Sequence, residues 1–318
     1  MSIESLDFLQ YCSNDSQERQ QFCHDLCETL SIYGFVKLRN SSLSKETIDQ
    51  LFGFNKLFFD LPNNIKAKAA HSENPNPHRG WSAIGQESVW QISKFEQGRP
   101  RMSVTRSVVN EESFDQGAAD DKLFLNRWVD EDDLPGFRQF MEGVYREFHA
   151  LHAHLLRAIT AGLGLSEERL ISKHQSNTSE LRLLHYPSIP CSSMVSVQRI
   201  GEHSDFGTPT LLLQDSVGGL QVEDQQMLNS FIPVESKDVY EVIVNVGDCL
   251  QRWTNKSLRS ANHRMLAPRY SVAYFGKPDR EVLVDTLPEF VRPGSKSEYN
   301  DGLTAFEYNQ LKLVRTYG

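Results

Sequence analysis

Several features that would place the chain in other classes of protein are missing. No stretch approaches the roughly 18 uninterrupted apolar residues of a membrane-spanning helix, and the first residues show no secretory signal. Acidic residues outnumber basic ones, and the formal net charge of the 318 residues is −9. Proteins that bind nucleic acid usually carry a basic face instead. We therefore expect neither a membrane nor a nucleic-acid partner, and the sequence indicates no obligate protein partner.

Cysteine is scarce as well. The five cysteines, at positions 12, 23, 27, 191 and 249, are odd in number and scattered. In a chain without a secretory signal, this usage indicates reduced thiols and a cytoplasmic protein. Cys23 and Cys27 flank His24 at a spacing that zinc could use, but no second ligand pair follows and the spacing also fits a helix face.

Apolar residues recur at helical spacing over 18–32, 48–59 and 135–161, and alternate as a short strand over 35–38. From residue 180 onward, short strands are predicted at 180–186, 195–200, 210–214, 220–222, 240–246 and 270–275. Closely spaced strands of this kind favour a sandwich or a jelly roll. We therefore expect a mainly β fold with flanking helices and a further helix over 298–317.

The most informative residues are His203, Asp205 and His263. In an extended strand, residues i and i+2 face the same side, so His203 and Asp205 can converge on one point. A histidine from a neighbouring strand would complete a set of two histidines and one carboxylate. That set suits non-haem Fe(II), because it leaves coordination positions free for a co-substrate and O₂.

A second pattern follows shortly after His263. Arg269 and Ser271 alternate on the next predicted strand, so both can face one cavity. The planar guanidinium of an arginine makes a bidentate contact to a carboxylate, and a serine hydroxyl can add another bond. A lone arginine is more often part of a surface ion pair, but the combined pattern indicates a site that binds an organic acid.

These motifs resemble the Fe(II)/2-oxoglutarate-dependent dioxygenases of the isopenicillin N synthase-like family. The resemblance extends over nearly the whole chain and is most specific in its second half. The segments that carry it are 33–36, 58–62, 79–81, 181–187, 203–205, 218–222, 245–248, 254–255, 260–264 and 269–271. Leu184 departs from the pattern, since many plant members have an asparagine there.

The resemblance implies a double-stranded β-helix (jelly-roll) core with an N-terminal helical region and a C-terminal helix. It implies that His203, Asp205 and His263 bind iron. It also implies that Arg269 and Ser271, joined by Tyr186, hold the distal carboxylate of 2-oxoglutarate.

On the same basis, residues 1–318 would form a single catalytic unit. Its parts would be an N-terminal region (1–134), a long support helix with its connection (135–179), the β core with the iron site (180–280) and a C-terminal extension (281–318).

The implied activity is oxidation of a small organic molecule in secondary metabolism, by hydroxylation, desaturation or ring formation. It would consume O₂ and 2-oxoglutarate and release succinate and CO₂, with ascorbate as a reductant. Two alternatives stay open. Arg269 and Ser271 could hold a substrate carboxylate in an oxidase that needs no 2-oxoglutarate, or the scaffold could bind small molecules without catalysis.

The sequence does not identify the substrate. Phe275, just after the Arg269–Ser271 pair, and residues 88–106 are candidates for lining its pocket. The wider segment 71–134 mixes tryptophans, phenylalanines and arginines with loop residues. This mixture is typical either of a region that contacts the substrate or of a surface loop segment that is held in place by aromatic side chains.

Overall fold

The computed structural model of the chain describes residues 3–72, 77–86, 88–90, 106–108, 111–187, 200–224, 227, 230–265 and 269–317. The helices are α1 (Ser16–Tyr33), α2 (Lys45–Phe59), α3 (Asn63–Lys66), α4 (Phe137–Gly162), α5 (Glu168–Ile171), α6 (Asp248–Trp253) and α7 (Ala305–Tyr317). Short 3-10 turns lie at Phe8–Gln10, Ala67–Ala69 and Pro288–Phe290.

Local chemistry sets the ends of the first two helices. The carboxylate of Asp15 accepts a hydrogen bond from the backbone N–H of Gln17 at 2.8 Å, and Ser44 caps α2 through the N–H of Thr47. Gly34 ends α1 in the left-handed conformation, with φ at 71°. A Cβ at Gly34 would lie 2.4 Å from the carbonyl oxygen of Arg259. Both backbone conformation and space therefore require glycine there.

The strands form two main sheets and one hairpin. They are β1 (Ser5–Asp7), β2 (Phe35–Arg39), β3 (Gly80–Ser82), β4 (Ser88–Trp90), β5 (Arg106–Val108), β6 (Glu112–Gln116), β7 (Glu180–Tyr186), β8 (Ile200–His203), β9 (Pro209–Gln214), β10 (Leu220–Glu223), β11 (Phe231–Pro233), β12 (Val242–Val246), β13 (His263–Met265) and β14 (Arg269–Phe275). The eight-stranded sheet has the order β1-β2-β12-β9-β14-β7-β6-β3, and the four-stranded sheet has the order β11-β10-β13-β8.

The eight-stranded sheet separates two hydrophobic cores. On one face, Leu183, Leu211 and Tyr274 pack with α1, α2 and the long helix α4. On the other face, Leu184 and Leu212 pack with residues of the four-stranded sheet. Because strand residues alternate between faces, the second face lines the space between the two sheets. This arrangement is the predicted mainly β fold with flanking helices.

The long predicted helix and most of the predicted strands are present, but several elements differ from expectation. The helix within 298–317 begins only at Ala305, and α6 and β6 were not predicted. The strand expected at 195–200 lies largely outside the described residues, and β8 begins at Ile200. Within the described part of the chain, no helix has the length and apolar character needed to cross a bilayer.

Candidate iron and 2-oxoglutarate site

The structure brings His203, Asp205 and His263 together. Nε2 of His203 lies 4.0 Å, and Nε2 of His263 3.9 Å, from Oδ1 of Asp205. The three ligand atoms all lie within 4.8 Å of one another, and the two imidazole centroids are 4.3 Å apart. Two bonds of about 2.1 Å from one ion separate their donor atoms by about 3 Å at a right angle and by about 4.2 Å when opposite, and the observed distances lie between these values. Each histidine can therefore share an ion with the carboxylate.

Antiparallel pairing of β8 with β13 produces this convergence. His203 and His263 are directly opposite each other in the register of the two strands, so their side chains project to the same face. The second histidine does come from a neighbouring strand, as expected. The expectation that His203 and Asp205 share one strand was wrong, because β8 ends at His203 and Asp205 lies in the loop that follows.

Hydrogen bonds orient the carboxylate of Asp205. Nδ2 of Asn245 donates to Oδ2 at 2.7 Å, and the hydroxyl of Thr210 also donates to this carboxylate. Burial raises the pKa of Asp205, but the neighbouring His263 and His203, together with these donors, outweigh it and keep the pKa below its ordinary value. Asp205 is therefore an anion that presents Oδ1 to both imidazoles.

The imidazole of His263 is also held in place. Its Nδ1 lies 3.3 Å from the carbonyl oxygen of Ala261, and its ring makes an edge-on contact with Phe35. An N–H on Nδ1 donates to that carbonyl, which leaves the lone pair on Nε2, the atom that faces Asp205. Two imidazoles and one carboxylate with this geometry fit a ferrous ion.

The loop after Asp205 is anchored to the start of α6. The backbone N–H of Asp248 donates to the carbonyl of Asp205 at 2.7 Å, and the N–H of Cys249 donates to the carbonyl of Gly207 at 2.9 Å. These are backbone donors of the first helical turn, which lack partners within the helix. The helix missed by sequence reasoning thus positions the candidate ligand.

The predicted carboxylate-binding residues occupy one end of the same inter-sheet space. Arg269 begins β14 directly opposite Tyr186 on β7, and Ser271 is opposite Leu184. Tyr186 and Ser271 are almost fully buried, whereas the side chain of Arg269 lies outside the described structure. Oγ of Ser271 has no hydrogen-bond partner among the described residues. A buried hydroxyl of this kind is well placed to bond to a ligand.

The substrate-pocket candidates are only partly described. Phe275 packs against the core between the sheets and is directly opposite Thr210, the residue that bonds to Asp205. The β4–β5 hairpin carries both ends of the 88–106 segment. Residues 91–105 and the hairpin side chains lie outside the described part, so this expectation stays a prediction.

Among the residues that the structure describes, the other grouping of potential metal ligands is mostly exposed. His24, Asp25 and Glu28 lie close together on the surface of α1, where exposed acidic groups are common without an ion. Cys23 and Cys27 are buried thiols in α1, and burial raises the pKa of Cys23 to about 11. This agrees with the interpretation of these cysteines as helix residues.

A buried polar cluster that the sequence did not predict lies farther along the same face of the sheet. Nε of Arg182 on β7 donates to Oδ1 of Asp115 on β6 at 2.7 Å, and Nη2 lies 2.9 Å from Nδ1 of His78. Nearby Glu180 pairs with Lys277 and Arg79. Burial raises the pKa of Glu180, but its two cationic partners lower it to about 2. The polar residues of β6 gave no strand pattern from which to predict this cluster.

Two family models match the chain. The 2OG-Fe(II) oxygenase superfamily matches residues 178–278, and the N-terminal region of non-haem dioxygenases in morphine synthesis matches residues 3–131. The chain belongs to the 2OG-Fe(II) oxygenase superfamily. The first match contains the three candidate iron ligands and the Arg269–Ser271 pair.

Several curated proteins align with this chain over its whole length. The 2-oxoglutarate-dependent dioxygenase htyE of Aspergillus rugulosus is 65% identical, and gloF of Glarea lozoyensis, which bears the same description, is 59% identical. A protein of Petromyces alliaceus named proline hydroxylase buaE is 45% identical. All three alignments span 100% of both chains.

Solved structures agree with the fold. A full-length Neurospora crassa protein in complex with alpha-KG (2-oxoglutarate) and thymine superposes with a TM-score of 0.85 at 29% identity, over 98% of this chain and 96% of that one. A 2OG-Fe(II) oxygenase family protein of Caulobacter crescentus gives a TM-score of 0.79 at 26% identity, over 98% of both chains. The predicted family, jelly-roll fold and enzyme class are confirmed. The oxygenase uses Fe(II) and 2-oxoglutarate.

Proposed function

We propose that His203, Asp205 and His263 hold the ferrous ion, and that Arg269 and Ser271, with Tyr186, hold the distal carboxylate of 2-oxoglutarate. The observation that carries the proposal is the convergence of the three donor atoms within 4.8 Å. Iron and 2-oxoglutarate, when bound with O₂, supply an oxidation of the substrate that is coupled to the formation of succinate and CO₂.

The chain's own residues bind and orient the reactants. Two neutral imidazoles and one carboxylate leave a ferrous ion with a net positive charge, which favours a dianionic 2-oxoacid. Ser271 donates its hydroxyl to the distal carboxylate, and Arg269 balances its charge. Leu184, Leu212 and Ala273 line the same face and exclude water from the bound reactants.

The primary substrate in this proposal is a small organic molecule of secondary metabolism, and the reaction is a hydroxylation. The Petromyces alliaceus relative named proline hydroxylase supports this choice, since it is 45% identical over its full length. Proline is therefore the first substrate to test. Desaturation or ring formation at the same site would appear as a product lacking two hydrogen atoms.

We infer further that the chain acts as one catalytic unit. Strands from residues 1–134 form both edges of the eight-stranded sheet and flank four central strands from 180–280, which supports a unit that cannot be divided at residue 134. A cytoplasmic location is supported by the free thiols of Cys12, Cys23, Cys27 and Cys249.

The proposal is tested by succinate release in the presence of Fe(II), 2-oxoglutarate, ascorbate and O₂. We expect wild-type turnover that a chelator abolishes, and no detectable turnover in His203→Ala or Asp205→Ala variants that keep the wild-type circular dichroism. His24→Ala, at an exposed histidine on α1, is the matched control. Full activity in either ligand variant would contradict the assignment.

Omission of 2-oxoglutarate tests the role proposed for Arg269. An oxidase that used Arg269 for a substrate carboxylate would oxidise its substrate without 2-oxoglutarate, whereas we expect complete dependence.

A further inference from the structure

Arg182 lies on the face of the sheet that lines the space between the two sheets. On β7 it alternates with Leu183, so it shares a face with Leu184 and Tyr186. Leu184 and Tyr186 belong to the inter-sheet core. Arg182 is opposite Ala273 on one neighbouring strand and Asp115 on the other. Its side chain therefore starts from the same inter-sheet face as the residues of the proposed site.

The guanidinium of Arg182 is held in a fixed orientation. Nε donates to the fully buried carboxylate of Asp115 at 2.7 Å, and Nη2 contacts Nδ1 of His78 at 2.9 Å. The guanidinium carbon lies 5.9 Å from the centroid of the Phe275 ring. The Arg182 side chain keeps 15% of its surface exposed, whereas Asp115 keeps none. The buried carboxylate of Asp115 thus orients the guanidinium, and of these two side chains only that of Arg182 is partly exposed.

Arg182 and Phe275 lie apart from Arg269 and Ser271, the residues proposed to hold 2-oxoglutarate. Phe275 follows Ser271 along β14 by about 14 Å, at the rise of an extended strand. Phe275 is directly opposite Thr210, and Thr210 donates to Asp205. The Arg182–Phe275 end therefore lies beside the candidate iron ligand, while the Arg269–Ser271 end lies farther along the strand. The two groups of residues therefore lie at different ends of the same inter-sheet face.

We propose that Arg182 binds a carboxylate of the primary substrate, so that the enzyme acts on small organic acids. This inference rests on the proposed function, because it assumes that Arg269 and Ser271 are occupied by 2-oxoglutarate. The planar guanidinium fork matches a carboxylate geometrically, which a lysine would not. The ring of Phe275 packs against the apolar part of the same molecule. A free amino acid such as proline meets both requirements.

The competing explanation is that Arg182 and Asp115 form only a structural ion pair. Removing the arginine alone would leave Asp115 as a buried, uncompensated charge and could unfold the protein. We therefore pair Arg182→Met with Asp115→Asn, which removes both charges at nearly constant volume. Arg182→Lys keeps the charge and loses the fork. Arg138→Met, at an exposed position on α4, is the matched control.

The experiment measures 2-oxoglutarate-dependent succinate release with a panel of free amino acids, including L-proline, and with the corresponding carboxamides. We expect at least one acid to stimulate wild-type release above the substrate-free background, and its carboxamide not to do so. In the double variant, KM for that acid should rise about 10- to 100-fold, as for a lost hydrogen bond to a charged group. The substrate-free background and KM for 2-oxoglutarate should stay at wild-type values. Anaerobic equilibrium binding of the radiolabelled acid should weaken by the same factor.

The outcomes separate this inference from the proposed function. Stimulation by no acid of the panel, equal stimulation by acid and amide, or an unchanged KM in the double variant would each overturn the role of Arg182. In all these cases the wild type would still release succinate in the absence of substrate. Absence of that background from the wild type would overturn the proposed function, and this inference with it.

Discussion

Asn245 donates Nδ2 to Oδ2 of Asp205 at 2.7 Å, across a buried contact between β12 and the loop after β8. The bond occupies the carboxylate oxygen that points away from the two histidines. Oδ1, at 3.9 and 4.0 Å from the imidazole nitrogens, is left for the metal. Asn245 would therefore fix which oxygen of Asp205 faces the candidate metal site, although Asn245 is not one of the three candidate ligands.

Asn245→Leu should weaken Fe(II) binding by about 10- to 100-fold, as for other partners of metal ligands. Leucine keeps the approximate volume but cannot donate to Oδ2, so Asp205 loses its fixed orientation. Calorimetric titration of the variant with a divalent metal under anaerobic conditions measures the change. Asn300→Leu, at an exposed asparagine, should bind metal as the wild type does. Equal affinities in the two variants would refute the positioning role.

Ser271→Ala should raise KM for 2-oxoglutarate about 10-fold and leave folding stability unchanged or slightly higher. The hydroxyl is buried without a partner among the described residues, so its loss removes no bond from the ligand-free protein. Urea denaturation of the metal-free protein and steady-state kinetics give the two readouts. A loss of stability without a change in KM would show that the hydroxyl serves the fold instead.

Arg269→Ala should raise KM for 2-oxoglutarate about 100-fold, since it removes a charge-assisted contact to a carboxylate. Arg269→Lys should give an intermediate value, because the charge remains and the planar fork is lost. KM is measured at saturating substrate, with succinate as the product. If alanine left KM unchanged, Arg269 would be free to serve a substrate carboxylate instead.

Folding stability should fall as the pH drops below about 6.5, because of two buried histidines. Nε2 of His152 and Nε2 of His174 lie 3.2 and 3.1 Å from the hydroxyl of Thr208. Burial lowers the pKa of His174 from 6.5 to about 4 and lowers that of His152 as well. The unfolded chain therefore binds more protons between these values, so stability is complete above pH 6.5 and is lost toward pH 4.

The contribution of His174 to this loss should be about 2 kcal/mol between pH 7.5 and pH 5. Urea midpoints of the metal-free protein at pH 7.5, 6 and 5 measure it, and His174→Gln should show a smaller dependence on pH. The same slope in this variant and in the wild type would exclude His174 as a source.

Regular periodicity determined which elements were predictable. The long helix α4 buries Phe148, Leu151 and Leu155 at helical spacing, and that pattern is visible in the sequence. Strand β6 was not predictable, because it buries Glu112 and Asp115. Their partners, Lys66 at 2.7 Å and Arg182 at 2.7 Å, are remote in sequence. Pairing across such separations compensates for burial of charge, but it leaves no local pattern.

The residues of the candidate site likewise include some that the sequence predicted and some that it did not. His203, Asp205, His263 and the Arg269–Ser271 pair were identified from the sequence, since they lie in short motifs of recognisable spacing. The contacts of Asn245 and Arg182 were not identified, although both residues lie in segments that resemble the family. Their roles depend on strand register and on side-chain distances, and only the folded structure supplies these.

The direct opposition of His203 and His263 on β8 and β13 has a consequence for handling the protein. β8 is an edge strand of the four-stranded sheet, and a bound ion would cross-link it to its neighbour through these two side chains. A shift of one residue in their pairing would turn an imidazole to the opposite face. Chelation would therefore remove this cross-link and loosen the pairing of β8 with β13, so that metal stripping during purification would lower the stability of the sheet that carries the site.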